Sequence, residues 1–299
     1  MITIFGSINV DLVSRVAAAP RPGETVVGSD YALIPGGKGA NQALAARRAG
    51  AAVRLIGVIG DDDLGRIALT ELEAGGVDLS GVTRRQGTTG VAIITVDQKG
   101  ENTIVLSPGA NATASAARIP PGAFAKGDTL LLQMEVPFAE SIAAARAASA
   151  AGARVILSLA PFTPLSPDEL GPVAMLIVNE HEAAALARHL GLSVAGAKAT
   201  VTALHRHLGR TVIATLGPDG AVAAGPDGVH AVPALAVTPV DTTGAGDTFC
   251  GVLAALLDEG AGLETAMAKA AIAGSLACTK PGAQPSFPMR AEIEAAAAS

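Results

Sequence analysis

With 299 residues, 49% of them hydrophobic and 16% charged, the chain carries enough apolar material to bury a full core and is far from a disordered composition. Its 21 basic and 27 acidic residues leave a formal charge of −6, with no Trp, one Tyr and six Phe, so nucleic acid finds neither a cationic surface nor a stacking platform. The longest apolar runs, Val173–Val178 and Val252–Leu257, exclude a helical membrane span, which needs roughly 18 residues, and the sequence gives no sign of an export signal, so a cytoplasmic location is expected.

Strand and helix patterns alternate along most of the chain. Ile2–Phe5 reads as a short buried strand. Leu12–Val16 and Glu24–Ile34 read as short strands, punctuated by Pro20, Pro22, Gly23 and Gly28. Gly39–Ala49 is a helix stopped by Gly50, Val53–Ile59 is a strand, and Asp62 or Asp63 caps a helix ending at Gly75–Gly76. Thr89–Val96 and Asn102–Leu106 flank the turn Asp97-Gln98-Lys99-Gly100, a hairpin signal. Strands then follow at Leu130–Gln133, Val155–Leu159, Met175–Val178 and Val212–Thr215, with helices at Glu140–Ala151 and Glu180–Leu190. Ala-rich helices near Gly246–Asp258 and Leu263–Cys278 close the pattern, and the low-complexity run Ala295–Ala298 is expected to fray. This alternation predicts an α/β fold with parallel βαβ units, from which the two hairpin-like segments project as a lid.

In such folds ligands sit outside the carboxyl ends of the strands. The residues there are Asn9 and Asp11, Gln133 and Glu135, Ser158, Asn179, and Gly217 after Thr215. Strand ends also meet solvent, which is a bland reason for polarity. Two concentrated signals go further. In Pro35-Gly36-Gly37-Lys38-Gly39-Ala40-Asn41-Gln42 the glycines allow close backbone approach, and Lys38 and Asn41 can bond several hydroxyls. In Asp241-Thr242-Thr243-Gly244-Ala245-Gly246-Asp247, small residues open an apolar helix, leaving free N–H groups that suit a phosphate. Asp247 is then either a helix cap or a base for a hydroxyl proton. A dinucleotide fingerprint is a poor fit because Phe249 stands where the last glycine belongs, and no GxxxxGK[ST] loop occurs.

The run Gly36–Gln42 and the run Asp241–Phe249 closely resemble the two signature segments of the PfkB family of carbohydrate kinases. The segments 6–11, 89–92, 100–102, 109–111, 133–135, 179–182 and 280–286 further resemble, in order, those members that phosphorylate D-ribose. The resemblance implies a three-layer α/β/α body with a mostly parallel sheet and a small antiparallel β-lid. It implies one domain over residues 1–299, with lid segments near 12–36 and 88–107. It also implies an ATP-dependent enzyme placing phosphate on the 5-hydroxyl of D-ribose. Asn9, Asp11, Gly37, Lys38, Gly39, Ala40, Asn41 and Glu135 would then bind the sugar, and Asp247 would be the general base. The backbone of Gly244, Ala245 and Gly246 would form the anion hole. ATP would lie along Asn179, Thr215, Leu216, Gly217, Pro218, Asp219, Gly220, Gly246 and Ala271. Glu182 would serve Mg²⁺ through water. Asp241, Thr243, Ala277, Lys280, Gly282 and Ser286 would hold K⁺. A homodimer through the lid is implied as well.

Two positions depart from the family pattern: Ser158-Leu159 stands in place of the usual Asn-Pro, and Ala271 occupies a position against the adenine where some relatives place His or Asn. Other functions in contention are a kinase for 2-deoxyribose, another sugar or a nucleoside, and a non-catalytic sugar-binding regulator. The retained Asp247 speaks against the last, because a pure binder needs no base.

Overall fold

Short apolar runs too brief for independent helices pair side by side into a central sheet in the computed structural model, which describes residues 1–98 and 102–298. The first part of the chain supplies β1 (Ile2–Phe5), β2 (Asn9–Arg15), β3 (Ala32–Gly36), α1 (Lys38–Arg48), β4 (Val53–Gly60), α2 (Asp63–Ala74), β5 (Asp78–Arg85), β6 (Gly90–Val96) and β7 (Asn102–Ser107). Then come β8 (Thr129–Leu132), α3 (Phe138–Ala150), β9 (Arg154–Ser158), β10 (Met175–Asn179), α4 (Glu180–His189), α5 (Ala197–Leu208) and β11 (Thr211–Thr215). The remainder forms β12 (Ala221–Gly225), β13 (Gly228–Val232), α6 (Ala245–Asp258), α7 (Leu263–Ala277) and α8 (Arg290–Ala297).

The large sheet runs β13-β12-β11-β10-β9-β8-β1-β4-β5, parallel except for the antiparallel β12 and β13. Strand periodicity sends alternate residues into two cores. Ile2, Ile4, Leu131, Ile156 and Ile213 pack with buried residues of α1, α2, α6, α7 and α8. Phe5, Leu130, Leu132, Val155, Leu157 and Val212 pack with those of α3, α4 and α5. The result is the expected α/β/α sandwich. The order places β1 between β4 and β8, so the chain leaves β1 in one direction and returns on its other side; clefts form at such a switch.

The small sheet runs β3-β2-β6-β7. Its two outer pairings are antiparallel, while β2 and β6 at its centre lie parallel, with Asn9 opposite Gly90. β6 and β7 meet as the expected antiparallel pair, Val96 opposite Asn102; Lys99 and Gly100 of the expected turn lie outside the described residues.

Several elements differ from the sequence reading. The strand expected at Glu24–Ile34 exists only at Ala32–Gly36, because residues 24–31 lie exposed or nearly so and have no apolar face to bury. The second strand begins at Asn9 rather than Leu12, so Asn9 and Asp11 project from a paired strand, not a loop. β5, the β12–β13 hairpin and α5 were not anticipated. β5 (DLSGVTRR) is polar at an edge, and the hairpin is built of Ala and Gly, whose small side chains blur alternation. The C-terminal run expected to fray is helical through Ala297, seated by buried Ile293. Asp62, not Asp63, caps α2, accepting from Gly65 N at 3.0 Å.

Candidate active site

The first wall of the site comes from β1, β2 and the start of α1. Gly37 takes φ +89°, and a Cβ there would stand 2.7 Å from the Asn9 amide, so only glycine lets α1 begin against β2. That approach puts Lys38 N 3.1 Å from Glu135 Oε2, which also accepts from Ser7 Oγ at 2.6 Å. The N–H groups of Gly39 and Ala40 are occupied by Ser7, through its Oγ (3.3 Å) and its carbonyl (2.9 Å). These two residues therefore build the frame rather than face the cleft. Asn9 is oriented by Asn111, whose Nδ2 donates to Asn9 Oδ1 at 2.7 Å while its Oδ1 accepts from Ile8 N at 3.0 Å. The Ile8 amide fixes which end of Asn111 is oxygen, so Asn9 turns its own N–H groups away from Asn111.

Asp247 lies in the first turn of α6, behind the left-handed Gly244, and is 8% exposed. Asn41 Nδ2 donates to its Oδ2 and Gln42 Nε2 to its Oδ1, each at 2.9 Å. Behind these stand Gln284, donating to Asn41 Oδ1 at 3.2 Å, and Gln133, donating to Gln42 Oε1 at 2.7 Å. Ala245 N turns to Thr242 O at 3.3 Å, while Gly246 opens to solvent.

These groups share one electrostatic field. Burial pushes the Asp11 carboxyl up to about 7, with Glu135 and Asp247 adding to the rise. The Asp247 carboxylate, followed by Glu135 and Glu182, holds the Lys38 ammonium above its usual range against the pull of burial. Burial likewise raises Glu182, and it takes the Cys250 thiol beside Asp247 to about 12, which leaves that cysteine a neutral apolar filler.

Lys38, Asp247, Gly244, Gly246, Asn179, Glu182, Thr215, Ser158 and Cys250 line a cavity of about 250 Å³. Through Thr215, Thr242 and Gly246 it adjoins a second cavity of about 510 Å³, lined mainly by apolar groups that include Pro218, Leu235, Val237, Phe249 and Ala271. Of the expected nucleotide loop, Thr215, Gly217, Pro218 and Gly220 border these cavities, whereas Leu216 and Asp219 do not. Residues 234–239 were not anticipated, since an irregular apolar loop leaves no periodic signal. Gln42, Gln133, Gln284 and Asn111 were also missed as site residues. Their signal was position: Gln42 follows Asn41, and Gln133 follows β8 at the carboxyl edge, where it was named without a role.

Asn179 and Glu182 form a capping box at α4: Glu182 N donates to Asn179 Oδ1 and Asn179 N to Glu182 Oε2, both at 2.8 Å. Glu182 keeps one carboxylate oxygen outside the box. No group of three His, Cys, Asp or Glu that could hold a metal is found among the described residues. Asp241 accepts from Thr243 N (2.9 Å), Thr243 Oγ1 (2.6 Å) and Gly282 N (2.9 Å), lashing the loop before α6 to the segment after α7. Burial works against its charge, yet these bonds keep its carboxyl below the usual range. Ala277 is the last residue of α7, where helix geometry frees carbonyl oxygens, so a carboxylate and carbonyls together fit a hard monovalent cation. The Lys280 ammonium pairs instead with Glu292 at 3.3 Å, and Ser286 Oγ donates to Ala283 O at 2.7 Å.

A buried acid at an open helix start, beside an apolar cavity at the edge of an α/β sheet, is an arrangement suited to group transfer. The pfkB family carbohydrate kinase model matches residues 1–290, and the chain belongs to this family of carbohydrate kinases. Among individual relatives it is 37% identical to the ribokinase of Haemophilus influenzae over 297 residues, covering 97% of this chain and 96% of that one. The crystal structure of a ribokinase from Thermotoga maritima superposes with a TM-score of 0.92 at 33% identity, covering 100% and 99% of the two chains. The Arabidopsis thaliana ribokinase complexed with ribose and ATP matches with a TM-score of 0.88 at 29% identity, over 99% and 97%.

Proposed function

We propose that this carbohydrate kinase transfers the terminal phosphoryl group of ATP to the 5-hydroxyl of D-ribose, releasing ADP and D-ribose 5-phosphate. The observation that carries the reading is Asp247: a buried carboxylate, fixed by an N–H donor on each oxygen, where a polar cleft meets an apolar cavity. The similarity to ribokinases, one of them bound to ribose and ATP, supports the choice of substrates.

In this reading Asn9 donates to a sugar hydroxyl, Asp11 and Glu135 accept from others, and Lys38 and Asn41 bridge between them. Gly37 admits the sugar against the backbone. Asp247 removes the proton from the 5-hydroxyl as that oxygen attacks phosphorus, and the bond from phosphorus to the bridging oxygen of ADP breaks. The N–H groups of Gly244 and Gly246 at the start of α6 face the transferring oxygens, where helix geometry leaves donors free, and that of Ala245 joins them on leaving Thr242 O. Such transfer rests mainly on positioning and charge neutralisation, so few side chains suffice. The apolar cavity around Phe249 and Ala271 takes the adenine by packing rather than by hydrogen bonds. Glu182 and Asn179 would hold Mg²⁺ through water, and the ion would supply charge neutralisation on the phosphates. A monovalent cation such as K⁺, held by Asp241, Ser286 Oγ and the carbonyls of Thr243, Ala277, Lys280 and Gly282, would stiffen the loop that carries the anion hole.

The test is an assay of the purified protein with ATP, Mg²⁺ and K⁺ against ribose, 2-deoxyribose and a nucleoside, with the product identified by ³¹P NMR. Ribose 5-phosphate is expected, with kcat/KM highest for ribose. A well-folded preparation that leaves ribose untouched ends the proposal.

We further infer that the small sheet acts as a lid that pairs with a second copy. β7 is exposed along its length, and Ile104 and Val105 are 53% and 58% accessible. Sedimentation at micromolar concentration should find a dimer; a monomer alone contradicts it.

A further inference from the structure

We propose that Gln42 is a positioning residue for Asp247, backed by Gln133, and that the two form one of two amide chains converging on that carboxylate. The proposal rests on the assignment of Asp247 as the base.

The polarity of the network follows from the carboxylate outward. An ionised carboxylate only accepts, so whichever amide atoms face it must be NH₂ groups. Gln42 therefore presents Nε2 to Asp247 Oδ1, which leaves its Oε1 to accept from Gln133 Nε2. Asn41 presents Nδ2 to Oδ2, which leaves its Oδ1 to accept from Gln284 Nε2. Both chains end alike: the outer oxygens, Gln133 Oε1 and Gln284 Oε1, are buried and have no hydrogen-bond partner among the described residues. Gln42, Gln133 and Gln284 are all fully buried.

A buried amide oxygen left unpaired is costly, and natural cores seldom keep one without a reason. Here two such oxygens cap two chains of the same polarity, and the shared product is a carboxylate with one donor on each oxygen. In-line donors polarise one another, so the outer amides strengthen the inner bonds. Gln42 is the member suited to this task alone. Asn41 is assigned to the sugar as well and Gln284 sits in the segment after α7 that Asp241 ties down, whereas Gln42 lines neither cavity and its backbone carbonyl packs against Gly251 of α6. Its work is to hold the plane of the carboxylate until the hydroxyl arrives.

The same logic makes Asp247→Asn a clean reference. If its new NH₂ faces Gln42, then Gln42 and Gln133 can flip together, and Gln133 Oε1 gains the partner it lacks. Gln133 Nε2 then becomes the unpaired end in place of Oε1, so the number of unpaired amide groups is unchanged and the variant should fold.

The experiment compares Gln42→Met, Gln133→Met, Asp247→Asn and Gln42→Met/Asp247→Asn, each checked by circular dichroism and thermal unfolding. For Gln42→Met we expect kcat to fall about 10- to 100-fold, with ribose KM changed by less than about threefold. Gln133→Met should show the same signature with a loss of about three- to tenfold, and it carries the test if Gln42→Met does not fold. In the Asp247→Asn background, Gln42→Met should cost almost nothing further, since it acts through a carboxylate no longer present. A normal kcat in either single variant, or a full multiplicative loss in the double, overturns the proposal while leaving the base assignment intact. Near-normal turnover in Asp247→Asn overturns both.

Discussion

The two halves of the site are built on opposite principles. Around Asp247 each carboxylate oxygen has its own amide donor, and four carboxylates, Asp11, Glu135, Glu182 and Asp247, share one field with the Lys38 ammonium. Beyond Gly246 the walls turn apolar, and Ala271, Phe249, Leu235 and Val237 offer shape with few hydrogen bonds. The first region demands particular atoms at particular distances; the second demands only volume and dryness. Substitutions should therefore act sharply in one and gradually in the other.

The largest effect is expected at Asp247. Asp247→Asn should lower kcat by about 10²–10⁴, the usual worth of a general base, while ribose binding by calorimetry stays near normal. Next is Asp11→Asn. Losing charge-assisted bonds to hydroxyls should raise ribose KM by about 10- to 100-fold, with kcat less affected. In the apolar half, Ala271→Leu should raise ATP KM by about tenfold through lost volume and leave ribose KM unchanged. An equal effect on both substrates would erase the distinction between the regions.

Asp11 also makes a prediction in pH. Its carboxyl sits at about 7 in the fold against 3.8 in the free residue, so the folded state holds a proton that the unfolded chain gives up between those values. Its contribution to stability is greatest below about pH 4 and is lost as pH rises to about 7. Asp11→Asn should therefore unfold at a higher temperature than the parent at pH 8, with the gap closing towards pH 4. Ribose binding has the opposite dependence: the ionised form accepts from hydroxyls, so ribose KM should climb as pH falls below about 7, and not in Asp11→Asn. Thermal scans and initial rates across pH 5–8 check both signs.

The contrast between the regions also governs how much could be read from the sequence. The parallel strands β1, β4, β8, β9, β10 and β11 are short apolar runs ending in polar residues, so the sheet and its carboxyl edge were legible. The glycine-rich segment before α1 and the segment before α6 were legible because backbone approach and open N–H groups require specific small residues. Gln42 and Gln133 were hidden despite their place beside those segments, since a glutamine gives no hint of facing a carboxylate across the fold. The loop 234–239 was hidden for the converse reason: many apolar sequences fill a wall equally well. β5 and α5 escaped because their apolar faces are partial.

The most direct measurement is a single-turnover chemical quench on Asp247→Asn with saturating ribose and ATP. The account predicts that the transfer step itself slows by the same factor as kcat, with ribose dissociation constants within about threefold of the parent. A transfer step as fast as the parent's, or a loss explained entirely by ribose failing to bind, would contradict it.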